Sequence, residues 1–363
     1  MSMPMRQKPS DDWNWVRVYY FEKCKDSLIL DGVWPAVTTP CKCGHSGQAY
    51  FYRDWQGGPN VLAGIKSCCI GRTSQIVAAL EEYVALHPST IALAQAEQAH
   101  ISESLRRHEM IQDTCTLRDN NSVVVDQHDP EGPFVKDPGV KKAYREYLSQ
   151  SSLYCIRWLH RVRNEGHDRT EAALHLLVAL IWLVDPARLR AHVSLMSHAI
   201  GLFNGVPEGG RFYHAFDAHY SSPSGAAIRR LVNKDVCLLK DGRDTLPDMS
   251  EFLSMLRLFL DDFFDSTLSG QYQPEPMGEL INSSPAWRSW QMTVSLLYRT
   301  LNQLGITPLQ RFLAGYMISR ACTDIYGDDA LDLRNLIQRS RSDAESLLTY
   351  FAPQIQRLEA REC

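Results

Sequence analysis

Helical spacing of apolar residues continues from about residue 140 almost to the end of the 363-residue chain, and this feature most restricts the possible folds. Apolar side chains that recur every three or four residues form one helix face, which must be buried against other helices. The candidate helices are 140–165, 169–184, 187–203, 224–240, 248–266, 286–304, 308–325, 329–339 and 342–358. The fold class is therefore predicted to be mainly α, with a large multi-helix domain over residues 140–363.

Local signals mark the ends of several of these helices. Thr307 followed by Pro308 places an N-cap residue before a proline at the first helical position. Gly305 is a typical residue for closing the preceding helix. Asp248, with Glu251 three residues later, resembles a capping box. Helix boundaries near residues 248, 305 and 307 are predicted from these residues.

The longest apolar run, Ala172–Val184, is interrupted by His175 and stops before Asp185. A membrane-spanning helix needs about 20 apolar residues, so this run predicts a buried core helix and no membrane partner. The amino-terminal residues show no apolar stretch of signal-peptide type. The ten cysteines are too dispersed for a disulfide framework. We therefore expect a cytoplasmic or nuclear protein, neither secreted nor transmembrane.

The amino-terminal region has a different character, because residues 13–70 are rich in aromatic and β-branched residues. Segments 48–55 and 61–67 flank the turn signal Gly57–Asn60, which predicts a β-hairpin. The predicted domains are a small β-rich module over 1–72, connecting helices over 73–113, a linker or surface loop over 114–139, and the helical domain.

Cysteines cluster in the β-rich module, where Cys41 and Cys43 precede a glycine and Cys68 and Cys69 follow the hairpin. Zinc prefers four thiolate or imidazole ligands in a tetrahedron. Cys41, Cys43 and Cys68 are the best ligand candidates, and the fourth is Cys69, His45 or Cys24. The sequence predicts that Zn²⁺ stabilises this module.

The same segment resembles the GRF-type zinc finger in three stretches: Thr39–Gly44, Gly58–Asn60 and Lys66–Cys68. Fingers of that family are usually appendages of nucleic-acid enzymes that grip single strands, so the resemblance implies nucleic-acid binding. It covers about thirty residues. Val61–Ile65 departs from the family, which has a glycine-arginine pair and an aromatic there, and Cys69 is the only nearby substitute for the last cysteine.

Because the formal net charge is −4, contact with nucleic acid would require a local basic patch. The strongest candidate is a cluster on the predicted helix 140–165 and just beyond it. Its members are Arg157, His160, Arg161, Arg163 and Arg169. Such a basic face predicts phosphate contacts, although a solvated helix surface would have the same composition.

Two enzymatic alternatives remain open. Asp261, Asp262 and Asp265 match the aspartate-rich motif of terpene synthases, which holds Mg²⁺ against a diphosphate. Arg163 and His167 resemble the site of helical HEPN ribonucleases, where such residues activate a ribose hydroxyl.

Other motifs carry less weight. Tyr326–Asp329 copies a polymerase tetrapeptide but lies between predicted helices, where Asp328 suits an N-cap. Phe212–Tyr220 is interpreted as a packed loop. The histidines at positions 192, 198, 214 and 219 lack the spacing of a ligand motif.

Together these features predict a non-enzymatic binding or assembly protein with a zinc-stapled amino-terminal module. Its expected partners are RNA, single-stranded DNA or another protein, as for a nucleocapsid or other structural protein, and self-association into a homo-oligomer is compatible with this role.

Overall fold

The computed structural model describes residues 13–40, 48–66, 71–92, 117–126, 138–186, 189, 191–205, 209–268 and 285–327. The side chains of residues 205, 262–268 and 285–292 are not described. Contacts divide the chain into two compact units. We call them the sheet unit, formed by the described residues up to 126 with 148–165, and the helical unit, formed by 138–147 and the described residues from 166 onward.

The sheet unit contains a four-stranded antiparallel sheet in the order β2-β3-β1-β4. Its strands are β1 (Trp13–Tyr19), β2 (Ala49–Asp54), β3 (Asn60–Lys66) and β4 (Ser122–Asp126). β2 and β3 pair as the predicted hairpin, with Asp54 opposite Asn60. Gly57 and Gly58 make the turn at φ values of 74° and 119°, which side chains other than glycine rarely adopt. The hairpin prediction is confirmed.

Aromatic residues on one face of the sheet depend on a glycine in β3. The Tyr50 ring lies across Gly64, where an added Cβ would come within 2.1 Å of the ring. The indole N–H of Trp15 donates to the Tyr50 hydroxyl over 2.8 Å. Gly64 therefore allows a fully buried tyrosine to lie flat on the strand and to hydrogen-bond across the sheet.

A buried arginine joins the edge strands through the central strand. Arg17 on β1 is 4% exposed, forms an ion pair with Asp54 of β2, and donates from Nε to Asp126 of β4 over 2.7 Å. The paired carboxylates satisfy a guanidinium that would otherwise be costly to bury. This arrangement explains why an arginine can occupy the interior of the sheet.

Short helices cover the opposite face of the sheet. A π-helical turn (Leu28–Val33) leads into α1 (Trp34–Thr38), and α2 (Arg72–Leu86) follows the hairpin. The edge of β2 meets the second part of α3 (Pro138–Glu165), where Ser152 accepts a hydrogen bond from the Phe51 amide over 3.1 Å. The amino-terminal module thus contains both helices and strands.

The helical unit contains the first part of α3 and seven further described helices. They are α4 (Arg169–Val184), α5 (His192–Gly205), α6 (Gly209–Ser221), α7 (Pro223–Lys240), α8 (Met249–Leu268), α9 (Pro285–Leu304) and α10 (Pro308–Tyr326). The mainly helical fold class is confirmed. The predicted helices 329–339 and 342–358 lie outside the described residues.

Several boundaries follow the local signals in the sequence. Thr307 caps α10 in a full capping box with Gln310, and Gly305 ends α9 at a φ of 86°. At the start of α8, however, the Ser250 amide donates to Asp244 over 2.8 Å. Asp248 itself adopts a φ of 63°.

Two segments differ from the expected secondary structure. Phe212–Tyr220, interpreted as a loop, lies within α6, where Phe216 and Tyr220 are buried one turn apart. Residues 122–126 of the predicted linker form β4, which extends the sheet beside β1. The run Ala172–Ile181 is buried, as expected for a core helix. None of the described helices is long and apolar enough to cross a membrane.

Candidate active site

Three helices of the helical unit bring a histidine, a tyrosine and an arginine together. The rings of His198 on α5 and Tyr298 on α9 meet edge to face, with centroids 4.9 Å apart and planes at 87°. Arg311, in the first turn of α10, places its guanidinium carbon 4.2 Å from the centroid of the Tyr298 ring. Phe312 also contacts the Tyr298 ring, at 6.5 Å between centroids. We call His198, Tyr298 and Arg311 the α5–α9–α10 cluster.

The apolar faces of these helices explain why the cluster assembles. Leu195 and Ala199 on α5, Leu297 and Leu301 on α9, and the segment 314–318 of α10 are buried. Residues that share a face with them are carried into the same interior. Tyr298 is 6% exposed, whereas His198 and Arg311 are half-buried.

Burial sets the protonation of the cluster. Desolvation, reinforced by the charge of Arg311, lowers the pKa of His198 from 6.5 to about 4. Desolvation raises the pKa of Tyr298 above 10.0, although the Arg311 charge opposes this shift. At neutral pH the cluster therefore offers a neutral imidazole, a neutral phenol and a permanent cation.

Two hydroxyls in this region have no hydrogen-bond partner among the described residues. They are Tyr298 Oη and Ser194 Oγ, and both are buried. Ser194 lies one helical turn before His198 on α5. A buried hydroxyl without a partner costs about 1–3 kcal/mol, so each can donate to an incoming acceptor.

The other buried histidines in the helical unit are held by nearby side chains. His175 Nδ1 on α4 lies 2.5 Å from Asp235 Oδ2 on α7, and His192 Nδ1 on α5 lies 2.9 Å from Ser319 Oγ on α10. His175 is 4% exposed and His192 is 3% exposed. Their rings join helices in the interior and are poorly placed to meet a substrate.

Two groups of paired charges fix α10 against α6 and α7. One contains Asp217, Tyr316 and Arg320, and the other contains Tyr220, Arg229 and Asp324. In the first group, Asp217 accepts from Tyr316 over 3.0 Å and from Arg320 over 2.8 Å. In the second, burial and the hydrogen bond to Asp324 raise the pKa of Tyr220 to about 12. These contacts position the helix that carries Arg311.

The basic cluster predicted to bind nucleic acid is largely engaged by other residues of the protein. Arg163 makes two 2.8 Å hydrogen bonds to Asp31, and His160 Nδ1 lies 3.4 Å from Arg163. Arg161 lies over the Trp158 ring at 5.6 Å.

The remaining two members are also partnered. Arg169 donates to the Leu304 carbonyl over 3.3 Å, and Arg157 is half-buried and has interactions of its own. A cluster engaged by acidic, aromatic and carbonyl groups is a poor phosphate-binding surface.

The predicted metal ligands Cys41, Cys43, His45, Cys68 and Cys69 lie outside the described residues, so zinc binding there stays a prediction. Within the described part of the chain, no group of three or more His, Cys, Asp or Glu residues could hold a metal ion. Asp261 is exposed on α8, while the side chains of Asp262 and Asp265 are not described. Asp328 and Asp329 also lie outside the described residues.

Comparison with known proteins decides the family. A family model described as the carboxy-terminal part of lantibiotic biosynthesis dehydratases matches residues 13–322. The chain belongs to this family. A search of the curated proteins returned no match.

Two solved structures share the fold of this member of the lantibiotic dehydratase carboxy-terminal family. The pyridine synthase TbtD from thiomuracin biosynthesis has a TM-score of 0.71 and 22% identity, with coverage of 87% of this chain and 99% of TbtD. TsrL has a TM-score of 0.61 and 14% identity, with coverage of 92% and 99%. At these identities the likeness establishes the fold.

The family assignment corrects the functional predictions. The expectation of a non-enzymatic assembly protein that binds RNA or single-stranded DNA is wrong, because the matched family is one of biosynthetic dehydratases and one fold neighbour is a pyridine synthase. The terpene-synthase and HEPN-ribonuclease alternatives are also wrong, because both motifs lie within residues 13–322, which match the lantibiotic dehydratase family. The wrong prediction relied on a short cysteine motif and a basic helix. Each is only a small part of the 310 residues that the family model matches.

Sequence reasoning missed the α5–α9–α10 cluster. His198 was seen as a histidine without a ligand motif, while Tyr298 and Arg311 were not singled out. Their spacing carries no local signal because each residue comes from a different helix. The only signal in the sequence is the apolar face of each of the three helices, which predicts that residues on that face are buried.

Proposed function

We propose that this protein is an enzyme of peptide-antibiotic biosynthesis that catalyses proton-transfer chemistry on a modified peptide, with pyridine-ring formation as the reaction. The observation that carries the proposal is the α5–α9–α10 cluster, which combines a base, an acid and a cation in a largely buried setting. The family description and the fold shared along nearly the whole of a pyridine synthase support it.

The members of the cluster have complementary roles. His198, neutral because its pKa is lowered to about 4, accepts a proton from the substrate. Tyr298 is protonated at neutral pH because burial raises its pKa, and it gives its proton to the oxygen that leaves as water. Arg311 stabilises negative charge on the phenol and on the substrate oxygen. The rings of His198 and Tyr298 lie in contact. After the product leaves, water takes the proton from the imidazolium and returns one to the phenolate, so the cycle closes without net proton change.

The atoms of a pyridine ring suggest the class of substrate. Lantibiotic dehydratases act on peptides, and dehydration of serine leaves an alkene. Two such alkenes supply four ring carbons, and one backbone amide supplies the fifth carbon and the nitrogen. The amide oxygen leaves as water. Aromatisation then requires a second elimination, in which the peptide nitrogen on the remaining tetrahedral α-carbon leaves with a ring proton, so that the preceding part of the peptide departs as a carboxamide. Each of these steps moves protons between carbon, nitrogen and oxygen, which suits the cluster.

The test uses the full chain and a synthetic peptide that carries two dehydroalanine residues. Conversion is followed by mass spectrometry and by the ultraviolet absorbance of a pyridine product. His198→Asn and Tyr298→Phe should each reduce kcat/KM by about 100-fold, within the usual range for loss of an acid or base. The control is His214→Asn, which changes an exposed histidine on α6. Full activity in both cluster variants would refute the proposed site.

Dehydration of the peptide itself is a second candidate, favoured by the description of the family. The same cluster would remove a proton from the serine α-carbon and protonate the departing oxygen. A serine-containing peptide offered in the same assay distinguishes the two activities, because dehydration removes one water without forming an aromatic product.

A further inference from the structure

Gly315 lies in the interior of α10, one turn after Arg311, and its presence there needs an explanation. Glycine in a helix interior is less favourable than alanine by about 1 kcal/mol. The residue is buried, and its backbone is not in the left-handed region that requires glycine. Conformation therefore does not account for it.

Packing does not account for it either. A Cβ built on Gly315 would lie 3.5 Å from Leu195 Cβ, 3.7 Å from the Leu195 carbonyl oxygen and 3.7 Å from Tyr298 Oη. These are ordinary van der Waals distances, so alanine would fit without displacing its neighbours. The glycine instead keeps a space of about one methyl group beside the buried phenol hydroxyl.

The surroundings of this space indicate what it could receive. Tyr298 Oη has no hydrogen-bond partner among the described residues, and it borders the space directly. Arg311 covers the Tyr298 ring from the same helix, and His198 approaches the ring edge. A hydroxyl donor and a cation together favour an oxygen acceptor, while the narrow width favours a planar group without branches.

We propose that Gly315 is a specificity-determining residue, whose missing side chain leaves room for the carbonyl oxygen of one backbone amide of the substrate, so that this oxygen accepts a hydrogen bond from Tyr298. This inference rests on the proposed function, because it places the reacting peptide at the α5–α9–α10 cluster. Because Tyr298 Oη is buried, neighbouring side chains must move as the amide approaches. A side chain at position 315 would occupy the place of the carbonyl oxygen.

The experiment compares Gly315→Ala with the matched control Gly201→Ala. Gly201 lies on α5, where an added Cβ meets nothing within 4 Å. Both variants gain helix propensity, so each should raise Tm by about 2–4 °C. Only Gly315→Ala should reduce kcat/KM on the dehydroalanine peptide, by about 10- to 100-fold, since displacement of a bound group by about 1 Å can cost that much.

Binding of the same peptide, measured by calorimetry, separates this inference from the proposed function. Weaker binding by Gly315→Ala, with unchanged binding by Gly201→Ala, supports the amide site even if the peptide is bound and not converted. If the peptide is bound but not converted, only the proposed reaction is refuted, and the amide site stands. If Gly315→Ala binds and converts the peptide as the wild type does, while Tyr298→Phe is inactive, the amide site is refuted and the proposed function stands. A wild-type chain that neither binds nor converts the peptide overturns both.

Discussion

At the residue scale, environment rather than residue type decides what each histidine can do. His175 and His192 have side-chain partners within 3 Å and are almost fully enclosed, whereas His198 meets a tyrosine ring edge and is half-buried. All three lie in helical segments that the sequence predicts. Nothing in their immediate neighbours along the chain separates His175 and His192 from His198, the histidine of the proposed site, because their partners come from distant helices.

His198 should make the stability of the fold depend on pH. Below pH 6.5 the unfolded chain binds a proton at this residue, but the folded chain does not until pH about 4. The free energy of unfolding should therefore fall as pH drops through this window, by at most about 3 kcal/mol, and less to the extent that solvent reaches the ring. Urea unfolding at several pH values measures it. The slope should be smaller in His198→Asn, and an identical slope would contradict the assignment.

The pair formed by His175 and Asp235 should be a large contributor to stability. Asp235 is fully buried, and its replacement by alanine would leave the imidazole without its partner. Loss of one member of a buried pair typically lowers the free energy of unfolding by about 3–5 kcal/mol. Chemical denaturation of Asp235→Ala, His175→Ala and the double variant tests this. The double variant should lose less than the sum of the single losses; simple additivity would argue against coupling.

At the element scale, most helices of the helical unit were predictable and two elements were not. Regular apolar spacing and the Thr307 cap identify the ends of α10 and its neighbours. α6 was missed because six of its 13 residues are aromatic or histidine, types that favour helices weakly. β4 was missed because three valines between turn-forming residues are a short signal, and the partner strand β1 lies far away in the sequence.

The sheet should tolerate no side chain at position 64. In Gly64→Ala, the new methyl group would meet the Tyr50 ring, which is fully buried and bound to Trp15. Overpacking of this kind costs about 1–3 kcal/mol. Thermal unfolding should show a lower Tm than the wild type, in contrast to the gain expected for Gly201→Ala. An unchanged Tm would mean that the tyrosine can leave the strand at no cost.

At the scale of the whole molecule, the fold class could be predicted from the sequence but the function could not. Helical periodicity extends over most of the chain, so it identified a mainly α protein. The functional prediction depended on two short motifs, the cysteines near residue 41 and the arginines near residue 161. The latter are engaged by residues such as Asp31 and Trp158. The proposed activity depends instead on His198, Tyr298 and Arg311, which only the folded chain brings together.

The intact enzyme should accordingly have an unusual pH profile. A catalytic histidine with an ordinary pKa would lose activity below about pH 6.5. Here the acid limb of kcat/KM should lie near pH 4, the value to which burial and Arg311 lower the pKa of His198. Arg311→Gln should move that limb to higher pH, because the neighbouring positive charge is removed. Steady-state kinetics on the dehydroalanine peptide measure the acid limb of the wild type and of Arg311→Gln. An acid limb at the same pH in both proteins would exclude His198 as the base.

The position of β4 has a consequence for synthesis of the chain. Arg17 of β1 and its carboxylate partner Asp126 are separated by 109 residues. While the ribosome translates the intervening segment, β1 can pair with β3, but its other edge remains open to strands of neighbouring nascent chains. Asp126, the last residue of β4, forms an ion pair with Arg17. When β4 emerges, it therefore covers the open edge of β1 and completes this ion pair at the same time.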